Sequence, residues 1–348
     1  METFNYDPVG NRTNSNQNGL SSFNQANALL EDANFTYQYD NNGNMTRKTA
    51  KAGGAITTYE YDAENKLVRV VSPINTANYR YDGLGRRVEK EIISVSTTVT
   101  RCVYDNEDIL LELDGSNAII ARYTHGPGID EPLVMEKGGA FFFYHADGLG
   151  SITELTNQSG TIVQRYTYSS FGKIESQLDP NFVQPYTFTS REFDLETGLY
   201  FYRNRNLDPF TGRFTTVDPL GFAGGDVNLY RYVKGNPVRY IDPSGLDSPG
   251  CDMVPEVCET PCVLESCAQH DKCYDDNKCS ASSWLPYVGL AECKRCNSEA
   301  KTCILKCGKS KYDDPKKPNY YCAKLRKFIS IPGDFPDLQS AVKACSTN

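Results

Sequence analysis

Cysteine is nearly missing from the first 250 residues of this chain, where Cys102 is the single example. Long apolar runs are missing throughout, since no stretch approaches the roughly 18 consecutive apolar residues that a membrane-spanning helix needs. The first residues lack a basic start followed by an apolar segment, so we expect no N-terminal signal peptide in this chain. No run of lysine or arginine suggests a nucleic-acid groove, so we expect no nucleic-acid partner.

The composition changes sharply near residue 247. Of 13 cysteines, 12 lie between Cys251 and Cys345. Residues 247–348 carry 14 basic and 14 acidic side chains, so the whole net charge of −8 belongs to the preceding part. So many cysteines in so short a segment predict a small domain stapled by disulfides, which form outside the reducing cytosol.

Tyr-Asp pairs recur in the first part of the chain. They start at Tyr6, Tyr39, Tyr61, Tyr81 and Tyr104, at intervals of 33, 22, 20 and 23 residues. The surrounding segments share a pattern, as in "YQYDNNGNMTRK" and "YRYDGLGRRVEK", with "CVYDNEDILLEL" as a weaker copy. An alternating aromatic strand runs into Asp plus Gly or Asn, which tolerate the positive φ of a tight turn, and a second strand follows. Each unit therefore predicts a β-hairpin, and such hairpins must stack into an elongated sheet to bury a core.

These repeats resemble the YD repeats of Rhs proteins, and residues 144–246 resemble the Rhs-associated core. The resemblance implies a multidomain chain whose first part is an antiparallel β-hairpin shell segment. We place the YD repeats at 1–139, the Rhs-associated core with a self-cleavage motif at 140–246, and a separate C-terminal domain at 247–348. Because four or five repeats are too few for a closed shell, we expect the chain to be a fragment, or a displaced cassette, of a longer protein.

Two aspartates, Asp218 and Asp242, each begin an Asp-Pro-x-Gly segment, in "VDPLG" and "IDPSG". On spacing alone both segments are typical turns. Rhs proteins that carry "PxxxxDPxGL" cut their own chain after the final Leu, and residues 237–246 fit that motif. The resemblance therefore implies that Asp218 and Asp242 form an aspartic-type autoproteolytic pair that cuts after Leu246. Arg213 is a further candidate, which would steady the developing charge.

The cysteine-rich segment contains "SCAQHDKC", with adjacent His270 and Asp271. Residues three and four apart share a helix face, so Cys267 and His270 lie together while Asp271 points about 100° away. The imidazole can then act as a base while the neighbouring carboxylate holds a hard cation. A second segment, "ECKRCNSEAKTCILKCG", also predicts a helix with its cysteines along one stripe.

These two helices resemble secreted phospholipase A2, whose active-site helix carries C-x-x-H-D-x-C-Y and whose second helix carries C-D-x-x-A-x-x-C. The resemblance implies a small disulfide-rich α-helical domain in which Cys273 bridges to Cys296. It also implies that His270 takes a proton from the water that attacks the sn-2 ester of a phospholipid.

The same resemblance implies Ca²⁺ as cofactor. Asp271 and the backbone carbonyls of Gly250 and Cys251 would hold the ion, which polarises the ester carbonyl. The family places an Asp after the second-helix cysteine to orient the imidazole, and this chain has Asn297 there. An amide oxygen can accept the ring N–H, but it brings no charge to stabilise the imidazolium. As a whole, the resemblance to secreted phospholipase A2 implies a calcium-dependent phospholipase A2.

Two other functions stay open for residues 247–348. One is a catalytically inactive phospholipase A2-like toxin that binds membranes or receptors, which Asn297 favours. The other is a zinc-binding effector that uses Cys293 and Cys296 together with further cysteines or His270. In each case the Rhs resemblance implies an effector that secretion machinery delivers to a target cell, outside it or at its periplasm or membrane surface. Membrane phospholipids are the expected substrate, and an immunity protein is the expected partner in the producing cell.

Overall fold

A computed structural model of the chain describes residues 2–246, and residues 247–348 lie outside the described part. Within residues 2–246 the strands form three sheets of three, sixteen and four strands, and every paired neighbour is antiparallel. Helical structure in this part consists of three short 3₁₀ turns, Phe188–Ser190, Gly221–Gly224 and Val233–Gly235. Among the described residues there is no helix long and apolar enough to cross a membrane. The antiparallel β-hairpin fold expected for the first part is confirmed.

The first sheet consists of β1 (Phe4–Tyr6), β2 (Arg12–Ser15) and β3 (Gly19–Leu20). The long sheet is a meander in which each strand pairs with the next one along the chain. Its strands, β4 to β19, are Ser22–Phe23, Leu29–Glu31, Phe35–Tyr39, Met45–Ala50, Ile56–Tyr61, Leu67–Val71, Thr76–Tyr81, Arg87–Ile93, Thr97–Asp105, Asp108–Asp114, Ile119–His125, Pro132–Lys137, Ala140–Ala146, Ile152–Asn157, Ile162–Tyr168 and Ile174–Gln177. The third sheet consists of β20 (Glu192–Asp194), β21 (Leu199–Tyr202), β22 (Arg205–Asp208) and β23 (Arg213–Phe214).

The aspartates of the Tyr-Asp pairs organise the hairpin turns. Oδ1 of Asp40, Asp62 and Asp82 accepts hydrogen bonds from the backbone N–H groups two and four residues later, at 2.9–3.1 Å. A short acceptor side chain can satisfy the turn backbone in this way, whereas a longer or apolar one cannot. The repeated Asp therefore fixes where each strand reverses.

The tyrosines of three Tyr-Asp pairs connect one repeat to the preceding one. Each hydroxyl donates to a backbone carbonyl 14 to 17 residues earlier, at 2.7–3.1 Å: Tyr61 to Met45, Tyr81 to Leu67, and Tyr104 to Arg87. Burying an aromatic ring while its hydroxyl finds a partner combines apolar packing with a satisfied polar group. The repeated Tyr thus ties successive hairpins together.

The turn of the fifth repeat departs from the arrangement of the other aspartates, although its Tyr104 keeps the hydroxyl contact. Asp105 pairs with Asp108 across a two-residue turn, in which Asn106 adopts a left-handed φ of 54°. Asparagine tolerates that region better than most residues, so the turn closes without the aspartate. Hairpins continue beyond this point, and the sheet crosses the predicted boundary between residues 139 and 140 within the β15–β16 turn.

The segment after the long sheet forms an aromatic core of its own. Tyr200, Tyr202 and Tyr232 are fully buried, together with Leu207 and Phe214. Nearly all residues of β20 to β23 are buried, in contrast to the half-buried strands of the long sheet.

Buried ion pairs connect this core to the long sheet. Arg87 of β11 contacts Asp194 at 2.5 Å and Glu192 at 2.8 Å, and Lys90 contacts Asp194 at 3.0 Å. Breaking a buried pair of this kind by removing one partner typically costs about 3–5 kcal/mol, because the other charge is left uncompensated. These contacts join β20 to the long sheet, and β20 in turn pairs with β21, the strand that precedes the candidate site.

Candidate active site

Asp218 and Asp242 are brought together by Arg205, the first residue of β22. Nη2 of Arg205 lies 3.3 Å from Oδ2 of Asp218 and 3.3 Å from Oδ2 of Asp242. All three side chains are buried, with 5% of Asp218 and 4% of Asp242 exposed. Two carboxylates 24 residues apart in sequence therefore share a single cationic nitrogen in a site nearly closed to water.

The remaining groups of Arg205 keep it in place. Its guanidinium carbon lies 3.6 Å from the centroid of the Phe214 ring, and Nη1 donates to the carbonyl of Leu229 at 3.2 Å. Nε donates to the carbonyl of Gly245. Because a guanidinium keeps its proton in proteins and offers its donors in a rigid fork, Arg205 acts as a fixed positive charge between the carboxylates.

The two carboxylates differ in their other hydrogen bonds. Oδ1 of Asp242 accepts from the backbone N–H groups of Gly245 at 2.8 Å and Leu246 at 3.1 Å, and from the Ser244 hydroxyl at 3.2 Å. Oδ1 of Asp218 accepts from the backbone N–H of Leu220 at 2.7 Å. Oδ1 of Asp242 therefore has three hydrogen-bond donors, whereas Oδ1 of Asp218 has one.

Burial raises the pKa of Asp218 to about 6, against an ordinary value of 3.8. Arg205 and the Leu220 N–H oppose the rise in pKa, and the like charge of Asp242 adds to it. Asp218 is therefore the carboxyl that can hold a proton near neutral pH, beside a carboxylate with more donors.

The β21–β22 turn also holds the chain that follows Asp242. Arg203 donates to the carbonyl of Pro243, Asn204 Nδ2 to that of Ser244 at 3.1 Å, and Arg205 to that of Gly245. Three consecutive residues thus bind three consecutive carbonyls, each 40 residues later in the chain. This register fixes the path of the backbone up to Leu246.

Gly224 leaves room between Asp218 and the carbonyl of Leu246. A Cβ on Gly224 would lie 2.8 Å from Asp218 Oδ2 and 3.2 Å from Leu246 O. The carboxylate and the carbonyl therefore face the same small space, which a methyl group would fill. The carbonyl of Leu246 belongs to the peptide bond predicted to be cut.

Arg213 lies in a different set of contacts. Nη1 donates to Asn11 Oδ1 at 3.1 Å, and Nη2 donates to the carbonyl of Asn27 and to Asn228 Oδ1. Burial lowers the pKa of Arg213 to about 10. The geometry places Arg205, and not Arg213, between the two aspartates. "YRNRNLDP" contains Arg203 and Arg205, but nothing in the sequence distinguishes their roles from that of Arg213.

The sequence-predicted residues of the C-terminal domain lie outside the described residues. They are His270, Asn297, Asp271, Gly250, Cys251, Cys273 and Cys296. Within residues 2–246 there is no group of three or more His, Cys, Asp or Glu side chains arranged to hold a metal ion. The proposed Ca²⁺ site is therefore a prediction from sequence.

A meander of Tyr-Asp hairpins that leads into a compact core with a buried Asp-Arg-Asp cluster defines a YD-repeat protein. Residues 1–238 match the family described as Teneurin YD-shell. Since this match spans more than half of the chain, the chain belongs to that family, and the YD-repeat part of the resemblance to Rhs proteins is confirmed.

The chain is similar to several other proteins. The tRNA nuclease WapA of Bacillus subtilis (strain 168) is 31% identical over 259 residues, which cover 70% of this chain and 11% of WapA. The double-stranded DNA deaminase toxin A of Burkholderia cenocepacia (strain H111) is 26% identical over 280 residues, covering 71% of this chain and 19% of that protein. The crystal structure of TcdB2-TccC3-Cdc42 matches with a TM-score of 0.47 at 18% identity, covering 71% of this chain and 17% of that one. The chain thus spans less than a fifth of the length of each of these proteins.

Proposed function

We propose that residues 1–246 form the C-terminal part of a YD-repeat shell that cuts its own chain between Leu246 and Asp247. The observation that carries this proposal is the contact of one Arg205 nitrogen with both Asp218 and Asp242, at 3.3 Å each. A turn alone would not require two buried carboxylates on one cation beside a backbone carbonyl.

In the proposed reaction, protonated Asp218 donates a hydrogen bond to the carbonyl oxygen of Leu246. Ionised Asp242 takes a proton from a water molecule as the water oxygen attacks the carbonyl carbon. The tetrahedral intermediate collapses when Asp242 passes the proton that it took from water to the Asp247 nitrogen. The C–N bond then breaks, the Asp247 nitrogen leaves as an amine, and a new carboxyl remains on Leu246, with Asp218 again protonated. Arg205 stabilises the negative charge that the two aspartates share throughout.

The test is to synthesise the 348-residue chain and follow its conversion into fragments of 246 and 102 residues. The mass of the shorter fragment identifies the cut bond. We expect Asp218→Asn and Asp242→Asn to stay intact, while Asp226→Asn, a buried carboxylate that contacts Arg231, is cut. Cutting that persists in both site variants would contradict the proposal.

We further propose that residues 247–348 are a toxin released by this cut and delivered to a target cell by secretion machinery. The similar deaminase is named a toxin, which supports an effector role for this chain. Such an effector requires an immunity protein in the producing cell. Delivery to the target cell, and a final location outside it or at its periplasm or membrane surface, follow from the same proposal.

For the chemistry of this domain we propose calcium-dependent phospholipase A2 activity. The support is the motif that contains His270 and Asp271 inside the cysteine framework. Oxidised full-length protein, allowed to cut itself, is mixed with phospholipid vesicles in Ca²⁺ or a chelator. Release of fatty acid and lysophospholipid that needs Ca²⁺ and is lost in His270→Ala would support the proposal. No release from a folded sample would favour the inactive, membrane-binding form that Asn297 suggests.

A second candidate is an activity on nucleic acid. It is favoured by the similarity to a tRNA nuclease and to a double-stranded DNA deaminase toxin. The family match ends at residue 238, before the domain in question. The same cleaved sample, incubated with tRNA and with double-stranded DNA, tests it: degradation or deamination without lipid hydrolysis would replace the phospholipase proposal.

A further inference from the structure

Asp130 lies in the loop between β14 and β15 and reaches the turn that holds the segment to be cut. Its Oδ1 accepts from Arg203 Nη2 at 2.9 Å and from Arg191 Nη1 at 2.5 Å, and its Oδ2 accepts from Arg203 Nη1 at 3.2 Å. The side chain of Asp130 is 10% exposed, and those of the two arginines are 5% and 11% exposed. The bidentate contact between Arg203 and Asp130 fixes the orientation of the guanidinium as well as its position.

Arg203 transmits this contact to the segment that is cut. The same Nη1 that binds Asp130 donates to the carbonyl of Pro243, the residue after Asp242. Arg203 adopts a left-handed φ of 54°, which is unfavourable for a bulky residue and persists where surrounding contacts hold it. Asp130 supplies one of those contacts.

The loop that carries Asp130 is itself held in shape. Gly126 N donates to the carbonyl of Glu131 at 2.8 Å, and Gly128 N donates to Glu131 Oε2 at 2.8 Å. Asp130 has a left-handed φ of 54°, in a loop closed by these two bonds. The opposite side of the contact is equally fixed, because Arg191 also donates to the carbonyl of Phe201 at 3.1 and 3.2 Å.

We infer that Asp130 is a positioning residue for self-cleavage, which acts through Arg203 on the Pro243 carbonyl. The inference rests on the proposed autoproteolytic function. Asp130 touches neither Leu246 nor the two site aspartates, so its effect is on the path of the chain. The peptide bond after Leu246 is therefore placed beside Asp218 only when the β14–β15 loop contacts Arg203. Cutting then depends on folding of the long sheet that carries this loop.

The test compares first-order cutting rates of the full chain in Asp130→Asn, Arg203→Gln and the double variant. A misplacement of about 1 Å in a reacting group can slow a reaction by about 100-fold, so we expect each single variant to be at least tenfold slower. Because both changes break one connection, we expect the double variant to be no slower than the slower single variant. Asp130→Glu restores a carboxylate and should recover part of the rate.

Glu136→Gln on β15 is the matched control, since Glu136 pairs with Arg122 on the exposed face of the sheet. Rates for Asp130→Asn equal to those of this control would overturn the inference, as would rates in the double variant that equal the product of the single effects. If Asp130→Asn does not fold, Arg203→Lys replaces it and must also cut more slowly than the control. Failure of the unmodified chain to cut, or cutting in Asp218→Asn, would instead overturn the proposed function.

Discussion

We expect the rate of the proposed self-cleavage to fall as pH rises, because in that reaction Asp218 must carry a proton to polarise the Leu246 carbonyl. Burial raises the pKa of Asp218 to about 6 from an ordinary value of 3.8. At pH 8, two units above that pKa, about 1% of Asp218 is protonated, so the rate constant should be about 100-fold below its value near pH 5. Between these limits the rate constant should be about half its maximum at pH 6, and it should fall about tenfold from pH 7 to pH 8.

The direction of this pH dependence follows from the raised pKa of Asp218 in the folded state. A pKa raised by about two units means that ionising Asp218 in the fold costs about 3 kcal/mol relative to the unfolded chain. The folded precursor therefore binds more protons than the unfolded chain between about pH 4 and 6. The stability of the fold relative to the unfolded chain accordingly decreases as pH rises through this range to about 6. The proton on Asp218 is thus favoured by the same burial that closes the site.

The assay is a pH jump. The precursor is synthesised without cells at pH 8, where cutting is slow, and moved into buffers between pH 5 and 8. Samples are quenched with time, and the intact chain is separated from its fragments. A rate that rises with pH across this range would refute the assignment of Asp218 as the proton donor, since an ionised base at this position gives the opposite slope.

Three further outcomes are expected. Arg205→Gln should slow cutting at least 100-fold, because the negative charge shared by Asp218 and Asp242 loses its fixed positive partner. Time courses of the intact chain measure this effect. Arg213→Gln should still be cut, since its contacts lie elsewhere; urea unfolding of a cutting-deficient chain should show a loss of about 1–3 kcal/mol from buried acceptors left without a donor. Gly224→Ala should slow cutting at least tenfold, because its Cβ would lie 2.8 Å from Asp218 Oδ2. Gly148→Ala is the control and should not slow cutting, because nothing lies within 4 Å of the added Cβ. Equal cutting rates in these two variants would contradict the geometry of the site.

The sequence by itself determined the hairpins, because their signals are local. The turn aspartates accept from N–H groups two and four residues away, so a short sequence window contains the whole interaction. The turn that ends at Leu246 is local too, since Oδ1 of Asp242 accepts from the N–H groups of Gly245 and Leu246. The cut after Leu246, in contrast, is implied by the resemblance to Rhs proteins.

The tertiary structure decided which groups act on that turn. The choice of Arg205 over Arg213 depends on which guanidinium reaches both carboxylates, and the sequence spacing of the two arginines carries no information about that. The proposed positioning role of Asp130 depends on its contact with Arg203, which lies 73 residues later in the chain. The raised pKa of Asp218 comes mainly from burial. Burial and contacts between distant residues are properties of the folded chain, because the cost of removing a charge from water is set by everything packed around it.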